Sequence, residues 1–204
     1  TSNDQLGLDV QTLFHQLTGL GKTQKLTKLI TAPFTLFTHI IGWINREIKQ
    51  AKANKKALII IKVNGLTDKE VILALYKASQ AGVKVKLIIR TLCRLKAGIK
   101  GISDNIEVIS VVDRFLEHSR IFYFLNDGKD ELYCSSSDLM ERNLYHRVET
   151  CFPILSDELK KRVKNETLEL MLHKDQKRWQ QNSKGEYVEK GWQSSQAILL
   201  KKYT

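Results

Sequence analysis

The sequence holds only two prolines and three cysteines in 204 residues, and it has no apolar run long enough to cross a bilayer. Two prolines exclude long stiff linkers. Cys93, Cys134 and Cys151 are odd in number and form no Cys-x-x-Cys pair, which excludes a disulfide framework and argues against a zinc site or redox pair. A reducing compartment is expected, with the chain cytoplasmic and association with a membrane surface left open. The longest apolar stretch, Leu29 to Ile44, is broken by Pro33, Thr35, Thr38 and His39, so no transmembrane segment is expected. The start, Thr1-Ser-Asn-Asp-Gln, has no basic-then-apolar secretory signal, and we read it as a point inside a longer chain.

Acidic side chains are also scarce. Against 22 Asp and Glu stand 33 Lys and Arg, a net charge of +11, and that sign predicts an anionic partner. No carboxylate occurs between Val10 and Arg46, or between Val71 and Ser103, although the second stretch carries Lys77, Lys84, Lys86, Arg90, Arg94, Lys96 and Lys100. A solvated basic surface that only aids solubility is the alternative reading. At 42% hydrophobic and 27% charged, the composition is that of an ordinary globular domain.

Periodicity then gives the architecture. Val10, Leu13, Phe14 and Leu17 recur at helical spacing after Asp9, a candidate N-cap, with Gly19 or Gly21 ending the helix. A short strand within Lys28–Pro33 precedes a helix from about Leu36 to Ala53. Ala57–Val63 reads as a buried central strand, Asp68–Ala81 as a helix, and Val83–Arg90 as a second strand in a parallel unit. Short strands are predicted at Ile106–Val112, Ile121–Leu125, Glu131–Ser135 and Arg147–Phe152, with an Asn126-Asp-Gly128 hairpin turn and a helix from about Asp157 to Leu172. The tail after His173 is expected to pack Trp179, Tyr187 and Trp192 on the body. The fold class is α/β, a mixed sheet flanked by helices.

Two sequence features invite a phosphate reading. Gly19-Leu-Gly-Lys22-Thr23 resembles the end of a P-loop, but Gln16 stands where that motif needs glycine, so an exposed basic turn is the better reading. His15, His39, His146 and His173 suit structural roles. His118 differs. It lies in Arg114-Phe-Leu-Glu-His118-Ser-Arg120, before an apolar strand whose alternation places His118 and Arg120 on one face. An imidazole can move a proton or attack phosphorus, and a guanidinium beside it can hold phosphate oxygens. A histidine merely held by Glu117 or Asp113 would look similar. Ser135-Ser-Ser-Asp138, Arg142, Asn143 and Arg147 add hydroxyls and positive charge on the following hairpin.

Taken together, Lys62-Val-Asn64, Ile89-Arg90-x-x-Cys93, Gly101-Ile-Ser-Asp-Asn105, Arg114-Phe-Leu-Glu-His118-Ser-Arg120, Ser135-Ser-x-Asp138 and Arg142-Asn143-x-x-x-Arg147 resemble the C-terminal catalytic region of bacterial polyphosphate kinases, in order and in register. Where that family usually has Arg-Gly and Ser-Ala-Asp-Trp, this chain has Arg90-Thr91 and Ser136-Ser137-Asp138-Leu139. The resemblance implies a phospholipase-D-like half, with residues 1–22 ending the preceding half and connecting to it, and 23–204 forming the C-terminal catalytic domain.

The resemblance further implies reversible transfer of the ATP γ-phosphate to inorganic polyphosphate through a phosphohistidine in the other half, which is missing here. His118 would then be the catalytic residue of this half, and Arg90, Arg147, Lys62, Asn64 and Arg120, with His118, would bind nucleotide and phosphate. Magnesium is implied as a cofactor of the intact enzyme, with ligands outside this stretch. The implied partners are ATP or ADP, polyphosphate and the remaining domains of a parent chain that is a homo-oligomer, and the fragment alone is expected to be inactive. A non-catalytic basic module that holds polyphosphate or nucleic acid is the alternative, although few aromatics flank the basic runs for stacking on bases.

Overall fold

The computed structural model describes residues 2–19 and 25–204. The P-loop-like segment therefore falls, apart from Gly19, outside the described residues. Nine strands form one mixed sheet: β1 (Ile30–Ala32), β2 (Leu58–Leu66), β3 (Lys84–Cys93), β4 (Ile106–Ser110), β5 (Arg120–Phe124), β6 (Glu131–Ser135), β7 (Glu149–Pro153), β8 (Arg178–Gln181) and β9 (Tyr187–Lys190). Their spatial order is β1-β7-β6-β5-β2-β3-β4-β8-β9. Strands β2, β3 and β4 run parallel, whereas β5 pairs antiparallel with the other edge of β2. The central strand thus marks the point where the sheet changes direction, and crevices open beyond the ends of strands at such points.

The β-branched run of β2 buries both of its faces. Ile59, Ile61 and Val63 join Val85, Leu87, Ile89, Phe122 and Phe124 under α2 (Leu36–Lys52) and α3 (Lys69–Gln80). On the opposite face Ile60, Ile88, Ile109, Ile121 and Tyr123 meet Leu168 and Met171. Each such side chain contributes roughly 1.5–3 kcal/mol of transfer free energy. Leu168 and Met171 come from the expected C-terminal helix, which is resolved into α5 (Asp157–Val163), a π-helical stretch (Lys164–Glu169) and the short α6 (Leu170–Leu172). Helix α2 also presents a fully buried carboxylate. Glu47 accepts from Leu58 N at 3.1 Å and Asn126 N at 2.7 Å, joining the start of β2 to the β5–β6 turn. Burial pushes its pKa up against those two donors.

Two expectations are corrected. Asp9 does not cap the first helix. Helix α1 runs Asp4–Leu17, with Asn3 accepting from Leu6 N, and Asp9 lies mid-helix, 3% exposed. Its carboxylate accepts from Thr27 N (3.0 Å), Lys28 N (2.6 Å) and Leu29 N (2.8 Å), so α1 turns Leu6, Asp9 and Leu13 inward. Val10, Phe14 and Leu17 are left exposed as a result. Hydropathy misreads this face because a carboxylate serving three orphan amides is inside.

The tail, in turn, lays its aromatic rings on the body only in part. It forms β8 and β9, which extend the sheet from β4, and closes with α7 (Ser195–Tyr203), whereas the short α4 (Glu141–Tyr145) lies earlier, before β7. Polar side chains dock β8: Gln181 bonds Ala97 N at 2.8 Å and Leu95 O at 3.3 Å, and Arg178 donates to His173 O at 2.6 Å. Trp179 and Tyr187 stay partly exposed, and Trp192 is 75% exposed. Gly191 permits the turn toward α7, since a Cβ there would sit 2.1 Å from Gln176 O.

Asp9 gives a test of this arrangement. Burial raises its pKa, but the amides of Leu29, Lys28 and Thr27 outweigh burial and hold it below the usual carboxylate value. A lowered folded-state pKa stabilises the protein above the unfolded value, and that stability is lost as pH falls through the folded one. Asp9→Ala should cost about 2 kcal/mol and accelerate exchange of these three amides roughly 30-fold at neutral pH, with the gap to wild type closing in acid. Unchanged exchange at neutral pH would show that the carboxylate is not the anchor.

Candidate functional site

Polar residues gather where β2, β3 and β4 end and β5 begins. Alternation along β2 puts Lys62 and Asn64 on the same face as Ile60, beyond the point where apolar packing stops. On β3 the register shifts between Val63 and Gly65, so that Arg90 and Thr91 together oppose Asn64. Such a bulge re-aims the bulged strand. Thr91 Oγ1 donates to Asn64 O at 2.7 Å and Ser110 Oγ donates to Arg90 O at 3.1 Å, which satisfies carbonyls around the irregularity.

The connection from β4 to β5 carries His118. Glu117 and Ser119 turn inward to Lys62, whose ammonium donates to Glu117 Oε2 at 2.6 Å and to Ser119 Oγ at 2.7 Å. Arg90 Nη1 donates to Glu117 O at 3.1 Å. With 117 and 119 held inward, His118 projects outward and is exposed. The alternative reading, a histidine merely held by Glu117 or Asp113, is not met: Glu117 is taken by Lys62, and Asp113 pairs with Ser194.

The partner of His118 is Arg120. Arg120 donates through Nε to Asp138 Oδ1 at 3.3 Å and through Nη2 to Asp138 Oδ2 at 3.1 Å, a two-point pairing that fixes the guanidinium plane. Its remaining Nη1 lies 3.1 Å from His118 Nδ1. Arginine can only donate, so Nδ1 accepts and the neutral imidazole carries its proton on Nε2. Asp138 also accepts from Asn64 N at 2.7 Å and Gly65 N at 3.2 Å, tying this chain of contacts to β2. Burial raises the Asp138 pKa, but Arg120 and the Asn64 and Gly65 amides overcome that and hold it low.

Five of the six residues singled out in the sequence, Lys62, Asn64, Arg90, His118 and Arg120, are linked by these contacts. Lys62 and Asn64 are buried, and the Asn64 Oδ1 has no hydrogen-bond partner among the described residues. Arg147 is exposed between α4 and β7, and none of the contacts that join the other five includes it. The serine hydroxyls are engaged internally: Ser135 with Thr150 O, Ser136 with Glu149 and Ser137 with Asp138 O. Sequence reasoning missed Gln196, whose amide contacts Phe115 and Glu117 from the far end of the chain. No spacing signal links it to them. Asp138 was visible in its serine cluster, but its role as the clamp on Arg120 was not.

Comparison with known proteins bears on this geometry directly. Residues 29–198 match the family described as polyphosphate kinase C-terminal domain 2. The polyphosphate kinase of Pseudomonas aeruginosa is 49% identical over 208 aligned residues, covering 99% of this chain and 30% of that protein. That of Pseudomonas putida is 52% identical over 188 residues, 92% of this chain and 26% of that protein. The crystal structure of polyphosphate kinase from Porphyromonas gingivalis superposes with a TM-score of 0.94 at 36% identity, over 100% of this chain and 32% of that one. A phospholipase D family member, Nuc from Salmonella typhimurium, shares the fold with a TM-score of 0.51 at 13% identity, over 81% of this chain and 97% of that one. The chain spans about 30% of the length of the polyphosphate kinases it matches. The Lys62–Glu117 and Arg120–Asp138 pairs and the histidine between them thus sit inside the matched region, and the chain belongs to the polyphosphate kinase C-terminal domain 2 family.

Proposed function

We propose that this chain forms one half of an active site that reversibly transfers the γ-phosphate of ATP to inorganic polyphosphate, the nucleophilic histidine being supplied by a part of the parent protein outside the chain. The carrying observation is the contact of Arg120 with His118 Nδ1. It leaves Nε2–H facing away from the guanidinium, suited to donating to an oxygen of a bound nucleotide or polyphosphate. A nitrogen that bears the proton cannot attack phosphorus, so His118 acts as a hydrogen-bond donor that stabilises charge on a phosphate oxygen. The other histidine attacks the γ-phosphorus as the bond to ADP breaks, and the phosphoryl group then passes to a terminal oxygen of the polymer.

The pairing of charges favours Arg90 as the phosphate anchor. Lys62 is compensated by Glu117 and Arg120 by Asp138. Arg90 has no carboxylate partner among the described residues and spends only one donor, on Glu117 O. Its remaining donors are free for phosphate oxygens, and positioned charge is most of what phosphoryl transfer requires. Arg147 is an exposed guanidinium suited to the nucleotide. Magnesium is a different matter. No group of three or more His, Cys, Asp or Glu side chains suited to a metal occurs among the described residues, and the carboxylates beside His118 are already engaged by cations and amides. The described residues do not fit that ion.

Two outcomes test this reading. Incubated with labelled ATP, the chain alone should form neither polymer nor stable label on His118, while His118→Ala in the full-length enzyme should lower synthesis by roughly 10²- to 10⁴-fold. Polymer made by the chain alone would place the nucleophile here. In the second, polyphosphate affinity should fall steeply with salt, as counterion release requires. Arg90→Ala should weaken it more than Lys177→Ala, since Lys177 pairs with Glu189 on the outer strands. Equal losses would favour a diffuse basic surface.

A further inference from the structure

The last helix touches the histidine loop through side chains that hydropathy would place in solvent. Ser194 caps α7, its hydroxyl accepting from Ala197 N at 3.0 Å and pairing with Asp113. Gln196, only 7% exposed, then reaches the loop with both ends of its amide. Oε1 accepts from Phe115 N at 2.7 Å, while Nε2 donates to Phe115 O at 2.8 Å and to Glu117 Oε1 at 2.7 Å. An amide carries an acceptor and a donor side by side, so it can pair with both the N–H and the carbonyl of a single residue.

Glu117 is therefore gripped at three points: Gln196 on Oε1, Lys62 on Oε2 and Arg90 on the carbonyl. Residues 115, 117 and 119 are each tied down by side chains from elsewhere in the fold, and the residues between them project outward. Leu116 is 73% exposed and His118 is exposed. At its other end α7 is fixed to the π-helical stretch, where Lys202 Nζ donates to Glu166 Oε1 at 2.8 Å and Tyr203 pairs with the same oxygen. The loop thus has one support from the sheet, through Lys62 and Arg90, and a second from the C-terminal helix.

We propose that Gln196 is a positioning residue for His118, and that α7 is a clasp setting the height and rotation of the histidine loop so that Arg120 meets Nδ1. The proposal rests on the role given to His118 above, yet it can be tested apart from it. Lys62 holds Glu117 with or without the clasp, so loss of Gln196 should loosen the loop rather than unfold the sheet.

The test uses the full-length enzyme with 15N-labelled histidine. Gln196→Ala removes the amide, and Gln196→Glu keeps its shape while setting a carboxylate against Glu117 and the Phe115 carbonyl. Both should lower kcat at least about 10-fold, as misplacement of a reacting group does. The KM for ATP should stay within about twofold, the mark of an interaction that acts in the transition state. The His118 ring-nitrogen shifts should move from a single Nε2–H tautomer toward the average of two. Lys201→Ala, on an exposed position of the same helix, should change neither. Unchanged kcat and unchanged His118 shifts in both Gln196 variants would overturn the clasp, and so would full activity in them where His118→Ala is inactive. Shifted nitrogens with full activity in both the Gln196 and His118 variants would uphold the clasp and overturn the catalytic role of His118.

Discussion

Lys62 sits inside the sheet, 3% exposed, on the middle strand, which β5 and β3 flank. Removing an ammonium from water costs several kcal/mol unless a carboxylate and further acceptors replace its hydration. Glu117 and Ser119 do so, and both belong to the connection that carries His118. The loop's path follows from that requirement. With its two inward side chains committed to one buried cation, the residue between them has only the outward direction left. Replacing Lys62 by an apolar residue would leave Glu117 as the uncompensated buried charge, so the pair is held as a unit.

The second ion pair works by the same logic with a different product. Asp138 is fixed by the amides of Asn64 and Gly65, so the position of Arg120 is referred to β2 rather than to its own strand end. Both halves of the His118 environment are thereby tied to the central strand. The pairing also decides where positive charge is felt. The chain's excess of +11 suggests a broad field, yet at the site Lys62 and Arg120 are neutralised by their partners. Arg90 has no carboxylate partner among the described residues, and it stands on a bulge that turns it away from the regular ladder.

The strands and the two large helices were legible because burial on both sheet faces demands long β-branched runs, and β2 and β3 supply them. The pairing of His118 with Arg120 was legible for a related reason: a two-residue spacing survives even though β5 begins only at Arg120. What could not be read depends on contacts between distant residues. Asp9 looked like a cap because its amide partners lie 18 to 20 residues on. The tail looked like loose aromatic packing because β8 is docked by Gln181 and Arg178, polar residues that hydropathy assigns to solvent. Gln196 is 79 residues from Glu117, and nothing local marks a glutamine that serves a backbone elsewhere.

On the proposed reading, in which a second histidine from outside the chain is the nucleophile, the tautomer of His118 bears on why the two would need different surroundings. A nucleophilic imidazole needs an unprotonated nitrogen aimed at phosphorus, which calls for an acceptor, such as a carboxylate or carbonyl, behind the other ring nitrogen. His118 has the reverse: a donor behind Nδ1, placed by a carboxylate one step further back. Inserting the arginine between carboxylate and imidazole inverts the polarity of the ring. The same residue type then offers a proton outward where its counterpart would offer a lone pair. Arg120→Lys would keep the charge but lose the planar fork that reaches Asp138 and His118 together, and with it the constraint that keeps His118 a donor.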